Sequence, residues 1–501
     1  MKRINALAST LLLAAAACLT LLSCALKHPP VGEEIMPERT RAKIPGHWAG
    51  PHRSGTVVPG WILSFHDPEL TALVADAVER NPDLKAAAAR VEASRAAVRI
   101  AAASLYPRIA MKGLGERQGQ RISGDLGEGI NPPSFGNSGT EDAGGAGLDT
   151  STEHESKRWV YGIAAGAAWE ADVWGRIRSK KAAAKSESLA LEADYEFARE
   201  SLAAAVARAY FTTIEAAQQE ANAQDTLNIY QEYSKLTDIQ KQQGFASDYD
   251  VSQITSRTAS AEDALYTAQQ VRAQTIRAIE VVTSRYPAGR FDVRRSFPGQ
   301  PRAVPAGMPA QILERRPDLI ASERRFAAAF HRVHEARTAR LPRFVLSAGS
   351  GLGTADLDSV GTLNALLWTF AAGVTQPIFF GGELQAAVDL RTAEQKAAAA
   401  SYVGHALRAF GEVEDALAND YYLRQREGAL ATAVSSSADS VKFGRQQLEQ
   451  GQVDMFTVLR LTGENLVAKV QLTQIRASRL RERVNLYLAL GGDFEGTGAP
   501  K

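Results

Sequence analysis

The chain has 501 residues, enough for two or three ordinary domains, and its 57 Lys and Arg nearly cancel its 56 Asp and Glu. A formal charge of +1 argues against a nucleic-acid partner, and a hydrophobic fraction of 45% argues against a disordered chain. Both cysteines fall within the first 24 residues, so the body of the chain has no disulfide framework.

The first residues have the pattern of an export signal. Lys2 and Arg3 form its charged end and Leu11 to Leu22 its apolar stretch. Leu21-Leu22-Ser23-Cys24 resembles a bacterial lipobox, which makes residues 1–23 a lipoprotein signal peptide and Cys24 the lipidated N-terminus. Losing Lys2 and Arg3 takes the formal charge from +1 to −1. Residues 24–60 are rich in Pro, Gly and His without periodicity and are expected to form an extended tether. An acyl anchor holds a protein at a membrane surface without spanning it.

Asp67-Pro68-Glu69-Leu70 combines a capping residue, a first-turn proline and an acid at the positive helix end, so it starts a helix. Asn81-Pro82-Asp83 starts another, which runs to about Leu105 and ends before Pro107, because a residue preceding proline avoids the α region. A strand pair is expected at about Pro107 to Leu114 and Trp159 to Trp174. The glycine-rich segment between them, about Gly115 to Lys157, is expected as a surface loop. A long helix follows from about Ile177 to Gln243. Gly244 ends it as helix C-termini are ended, and the chain returns from Val251 to Thr283. Tyr286 to Pro309, rich in Pro, Gly and Arg, is a connector.

The same series then recurs. Arg316-Pro317-Asp318-Leu319 opens a helix that ends near Pro342, in register with the helix between Pro82 and Pro107. Strands follow at Phe344 to Gly349 and Leu366 to Gln376, where Trp368, Phe370, Ala372 and Val374 take every second position. A second long helix runs from about Leu384 to Gln450, Gly451 turns it, and Thr457 to Leu490 returns. The boundaries are a first repeat at 61–285 with its turn near 244, a connector at 286–312, a second repeat at 313–493 with its turn near 451, and a tail at 494–501. Each long helix of about 67 residues reaches roughly 100 Å, and the helices flanking it are expected to stack end to end along that length.

Beyond the signal there is no apolar run of about 20 residues, so the spanning element compatible with a membrane is a β-barrel. Each chain offers four strands, and closed barrels need at least about eight. Several copies must therefore pool strands, and dimers, trimers and larger rings all satisfy the count.

Several motifs carry a family resemblance. They are Phe65-His66-Asp67-Pro68-Glu69-Leu70, Leu105-Tyr106-Pro107, Asp172-Val173-Trp174-Gly175-Arg176, Glu314-Arg315-Arg316-Pro317-Asp318-Leu319, Gln376-Pro377-Ile378-Phe379, Gly451 with its flanks, and Val484-Asn485-Leu486-Tyr487-Leu488-Ala489-Leu490-Gly491-Gly492. Over residues 60–493 the chain resembles the outer-membrane factors, the TolC-like exit ducts of bacterial efflux pumps, and within them the NodT-like lipoproteins. The resemblance implies a mainly α fold with a membrane β-barrel. In it, a long α-helical barrel joins four strands per chain, closed as a 12-stranded barrel in a homotrimer. It also implies an outer-membrane location with the helices in the periplasm. Its partners would be outer-membrane lipid, a periplasmic adaptor and an inner-membrane pump.

Within that resemblance, the turns Gly244, Phe245, Ala246, Ser247 and Gly451, Gln452, Val453, Asp454 match the adaptor-contacting tips. The closed end of the duct is expected just inside them, at Phe456, Thr457 and Arg460, with Asp454, Asp248 and Asp250 as sources of negative charge. Relatives carry a carboxylate where Arg460 stands. Arg460 could instead pair with Asp415 or Glu412. Trp159, Tyr161, Trp368 and Phe370 suit a lipid-facing belt. No catalytic set, phosphate loop or cofactor motif is present, and His331 and His334 lack zinc-protease spacing. The expected function is a passive, non-enzymatic efflux duct. A type I protein-secretion channel, a periplasmic adaptor and a structural lipoprotein are the competing readings.

Overall fold

The computed structural model describes residues 27–32, 34–35, 44–57, 59–122, 154–299, 303–354 and 366–495. Cys24, the signal segment and the tail beyond Glu495 lie outside them. The helices are α1 Pro68–Arg80, α2 Pro82–Ala103, α3 Arg176–Gln242, α4 Asp248–Val282, α5 Pro317–Thr338, α6 Glu383–Glu449 and α7 Met455–Ala489. A one-turn helix, Gln311–Arg315, precedes α5. The internal repeat preserves helix length: α2 and α5 have 22 residues, α3 and α6 have 67, α4 and α7 have 35. The described parts fall into two compact units, one of Ile100–Lys180 with His334–Ala386 and one of Lys27–Arg99 with Lys181–Val333 and Ala387 onward.

In the second unit the caps read from the sequence are in place. The Asp67 carboxylate accepts from the N–H groups of Glu69 and Leu70 to start α1, and the Asn81 side chain accepts from Asp83 and Leu84 to start α2. Helix α3 is the axis of the packing. On one side Ser94 of α2 meets Ser188 at 2.8 Å and Arg272 of α4 pairs with Glu220 at 2.7 Å. Between them the start of α1 fills the joint, where the Tyr210 hydroxyl lies 3.1 Å from Asp67 and 3.2 Å from Glu69. The end-to-end stacking expected from the sequence is therefore what forms, with α1 as its spacer. On the other side α3 meets Arg332 and Arg325 of α5 through Glu187 and Asp194, and Arg481 of α7 through Glu215. Helix α6 packs beyond these, through His405 to Ser322 and Asp420 to Arg483. The columns run α2/α4, α3, α5/α7, α6.

The core of this unit collects Trp61, Phe65, Phe211 and Tyr487, with Trp61 stacked on Tyr487 at 5.6 Å and Phe65 tilted against Phe211 at 5.2 Å. Burial of each such ring stabilises by about 1.5–3 kcal/mol. The described part of the tether is docked here. Trp48 is buried against Phe410, its Nε1 donates to the Ala306 carbonyl at 3.1 Å, and the Ala49 and Gly50 N–H groups donate to Glu414 at 2.8 Å. A single aromatic in a Pro/Gly-rich stretch left no periodic signal for that docking. The connector is fixed by the Glu280 carboxylate, which accepts from the N–H groups of Gly289, Arg290 and Phe291.

In the first unit β1 Arg108–Ile122, β2 His154–Ala171, β3 Arg343–Thr354 and β4 Leu366–Thr375 form one antiparallel meander in chain order. The first hairpin is longer than its sequence suggests. β1 continues to Ile122 and β2 begins at His154, paired from Arg108↔Ala168 to Ile122↔His154. The extension is Gly, Glu, Arg and Gln, so ladder hydrogen bonds rather than an apolar pattern hold it. The Asp172-to-Arg176 motif is the elbow into α3. Gly175 takes φ 79°, and the Asp172 carboxylate caps the N–H groups of Ile177 and Arg178 at 2.9 and 2.8 Å. Two indoles tie strand ends to the chain beside them. Trp169 donates to Leu105 at 2.9 Å and Trp174 to Pro342 at 2.8 Å. Among the described residues no helix is long and apolar enough to cross a membrane.

Candidate functional site

Two places bear the expected functional residues: the faces of the sheet and the two helical turns. Residues paired across an antiparallel ladder share a face. The register therefore puts Trp368, Ser350, Ala165 and Met111 on one side, followed by Phe370, Ala348, Ala167 and Ile109. Tyr161 and Val374 keep the same parity, and the backbone position of Trp159, opposite Arg117, does so too. The apolar side chains of this face are open in the single chain: Met111 and Trp368 are 77% exposed, Ile109 80% and Phe370 70%. The opposite face is mostly Gly, Ala, Ser and Thr with a few charges, and Val345 and Leu367 are exposed apolar groups on it. An apolar side and a small, polar side match a barrel wall with lipid outside and water inside. Among the described residues both edge strands, β1 and β4, lack a ladder partner on their outer side.

Trp169 belongs to the apolar face and was not singled out from the sequence. Eight residues separate it from Tyr161 along β2, about 26 Å at strand rise, close to the height of an apolar barrel band. Its place at the strand end beside Pro107 was the available signal.

The two turns have one backbone design. Gly244 takes φ 82° and Gly451 φ 70°. The Gly244 N–H donates to Lys241 and the Phe245 N–H to Gln240, at 2.9 and 2.8 Å. Likewise the Gly451 N–H donates to Leu448 and the Gln452 N–H to Gln447, at 3.0 and 2.9 Å. This is the doubly bonded C-terminal motif that a left-handed glycine permits. Three residues on, each return helix is capped. Ser247 and Asp250 form a reciprocal capping box, and the Asp454 carboxylate accepts from the Thr457 N–H at 2.7 Å.

The acids near the turns are held by local partners. The Lys241 ammonium at 2.7 Å lowers the Asp248 carboxyl below its usual range. Hydrogen bonds from the Ser247 N–H and hydroxyl lower Asp250, and those from Thr457 lower Asp454. All three remain charged at neutral pH. Beside them Val453, Met455 and Phe456 turn inward onto a cluster of Leu227, Tyr230, Tyr233, Ile254 and Val458. Thr457 is half-buried and Ala246 likewise, while Gln452 is exposed. Arg460 is exposed and pairs with Glu464 at 2.6 Å, one turn along its own helix. Its expected alternatives are out of reach: Asn465 meets Val434 and Ser437, so Arg460 lies still farther along α6 from Asp415, and Glu412 pairs with Arg316 at 2.7 Å. His334 shares a 2.9 Å hydrogen bond with Ser179, and among the described residues no group of His, Cys, Asp or Glu could hold a metal ion.

Comparison with known proteins agrees with this geometry. The chain is 30% identical over 441 residues to the probable efflux pump outer membrane protein TtgC of Pseudomonas putida KT2440, covering 88% of this chain and 86% of that one. It is 31% identical over 458 residues to the solvent efflux pump outer membrane protein SrpC of Pseudomonas putida, covering 89% and 90%. The outer membrane channel CmeC of Campylobacter jejuni shares the fold with a TM-score of 0.79 at 24% identity, over 95% of this chain and 96% of that one. The family profile described as Outer membrane efflux protein matches residues 73–283 and 308–492, the two halves of the repeat, and the chain belongs to that family.

Proposed function

We propose that the chain is one wall segment of a passive exit duct, the outer-membrane component of a tripartite efflux pump for drugs or other small molecules. The observation that carries this is the four-stranded sheet with one apolar face and two unpaired edges. In lipid an open edge strands backbone N–H and C=O groups at several kcal/mol each, so the sheet must close on further copies. A meander closes head to tail, β4 of one copy on β1 of the next, which generates a ring. Three copies supply the 12 strands that the family resemblance implies.

In this reading a lipid on Cys24 anchors the chain at the outer membrane of a Gram-negative bacterium, with the helices in the periplasm. Trp159, Tyr161, Trp368 and Phe370 meet lipid. The turns at Gly244–Ser247 and Gly451–Asp454 meet a periplasmic adaptor, which links the duct to an inner-membrane pump. Asp250, Asp454, Thr457 and Arg460 line the narrow end, and Phe456, expected there as well, packs behind them in its own chain. The duct performs no chemistry, and energy comes from the pump. A type I secretion channel would share this wall, and the efflux names of the relatives favour export of small molecules. The test is the mass of the full-length lipoprotein in mild detergent by light scattering. Three copies are expected, and a monomer would overturn the reading.

A further inference from the structure

The face of the sheet opposite the apolar one carries exposed cations at three register positions. Lys112 pairs in register with Ala164, Arg108 with Ala168, and Arg343 with Thr375, one step beyond the Phe344↔Ala171 pair. All three share the parity of Gly166, Gly349, Gly351 and Thr369, and all three are exposed. The same face takes Glu116, by register opposite Val160 four residues beyond Lys112, and the Glu170 carboxylate, and the acid that follows β2 is Asp172; the last two are the acids beside Arg108 and Arg343. Both are taken: Arg176 clasps Glu170 with 2.8 and 2.9 Å hydrogen bonds, and Arg178 reaches Asp172 at 3.3 Å while two backbone N–H groups cap it. Among the described residues no carboxylate pairs with Arg108, Lys112 or Arg343. A cavity of about 430 Å³ opens on this face, lined by Lys112 and Leu367 with Ala110, Gly166, Gly349 and Thr369. Leu367 is its one large apolar side chain, and Lys112 is the charged group that a passing solute meets there.

We infer that Arg108, Lys112 and Arg343, repeated in each copy, make the inner wall of the barrel an anion-attracting lining that favours negatively charged permeants. The inference rests on the proposed closure of the sheet into a ring. Along β2 the three cations stand four residues apart, about 13 Å per step at strand rise. That spacing is close to the Debye length of ~10 Å at 0.1 M salt, so their fields just overlap and line one continuous stretch. Rings of Lys and Arg select anions in this way in other pores. The acids near the turns act in the opposite sense, so the change caused by removing the lining, rather than the overall preference, is the diagnostic quantity.

The experiment uses the full-length lipoprotein in planar bilayers under a KCl gradient. The reversal potential gives the chloride-to-potassium permeability ratio for wild type, for Lys112→Gln, and for the combined Arg108→Gln, Lys112→Gln and Arg343→Gln protein. The triple variant is expected to lower the ratio at least about two-fold and Lys112→Gln by less, in the same direction. Lys112→Gln changes an exposed, unpaired side chain in mid-strand, so it keeps the test sound if the triple variant does not assemble. Currents with an unchanged ratio in both variants would overturn the lining and leave the duct standing. No current from any of the proteins would overturn the duct itself.

Discussion

The turns at Gly244 and Gly451 share a backbone and differ in where they put their apolar side chains. Aligned on the glycines, Phe245 corresponds to Gln452, Ala246 to Val453, Asp248 to Met455 and Tyr249 to Phe456. In the first turn Phe245 is 81% exposed and Tyr249 71%, so among the described residues little covers either ring. In the second, Val453, Met455 and Phe456 fold back onto the cluster between α3, α4 and α7. One copy of the repeat presents its aromatics outward and the other spends its hydrophobic groups on holding the hairpin together. Duplicated backbones are thus free to diverge in role wherever the fold does not need the side chain.

The largest effect that separates the two turns is expected at Met455. It is buried, and its sulfur accepts from the Thr237 hydroxyl at 3.4 Å. Truncation to Ala leaves a cavity, and Met→Ala changes in cores cost about 2–5 kcal/mol. Denaturant titration of the full-length protein should show a loss in that range. Asp248→Ala, at the matching place in the first turn, should leave the transition unmoved, because its pair with Lys241 is a surface pair. Equal losses at the two positions would break the comparison.

Much of this was legible beforehand, and the limits are physical. Proline at 107 and 342 and glycine at 244 and 451 act through local backbone geometry, which sequence carries directly. The Asp67 and Asn81 caps act within four residues and were equally plain, whereas the Ser247 cap starts its helix three residues before the expected Val251. The inward course of Met455 was not, because it depends on Thr237 and Tyr233 from a helix some 220 residues earlier. The alternative pairing of Arg460 with Asp415 or Glu412 on α6 fails for the same reason, since its partner Glu464 is one turn along its own helix. The far half of β1 was hidden because ladder hydrogen bonds, not hydrophobicity, hold it.

A smaller effect distinguishes carboxylates at the turns from one held inside. Those at the turns are lowered by hydrogen bonds and a cation. Burial, and then the Asp493 carboxylate, push Glu200 up to about 8, against the weaker pull of Arg199. Its Oε2 is buried without a hydrogen-bond partner. The folded state therefore holds a proton that the unfolded chain has already released above its ordinary value of 4.5. Stability from this group falls as pH rises from about 4.5 to about 8 and then levels off. Glu200→Gln should flatten that slope and be the more stable protein at pH 8, read as melting temperature against pH. A slope that survives the substitution would assign it to other groups. The turn acids act with the opposite sign, since their lowered values lose stability only as pH falls into the acid range.

The smallest effect on stability is expected at Phe245, and it is the most telling for function. A ring exposed to this degree makes few intramolecular contacts, so Phe245→Ala should change stability by no more than about 0.5 kcal/mol. Exposed aromatic groups in a turn of fixed geometry are the kind of anchor that carries binding energy at interfaces, where they reach burial only in the complex. The variant should therefore melt like wild type, assemble like wild type, and still lower export of a fluorescent efflux substrate from cells. Gln452→Ala, at the equivalent place in the second turn, should do less, since its side chain offers no comparable apolar area. If export were equally unaffected by both, the outward-facing turn would be an ordinary solvent-exposed connector, and the difference between the two turns would reduce to the packing of Met455 alone.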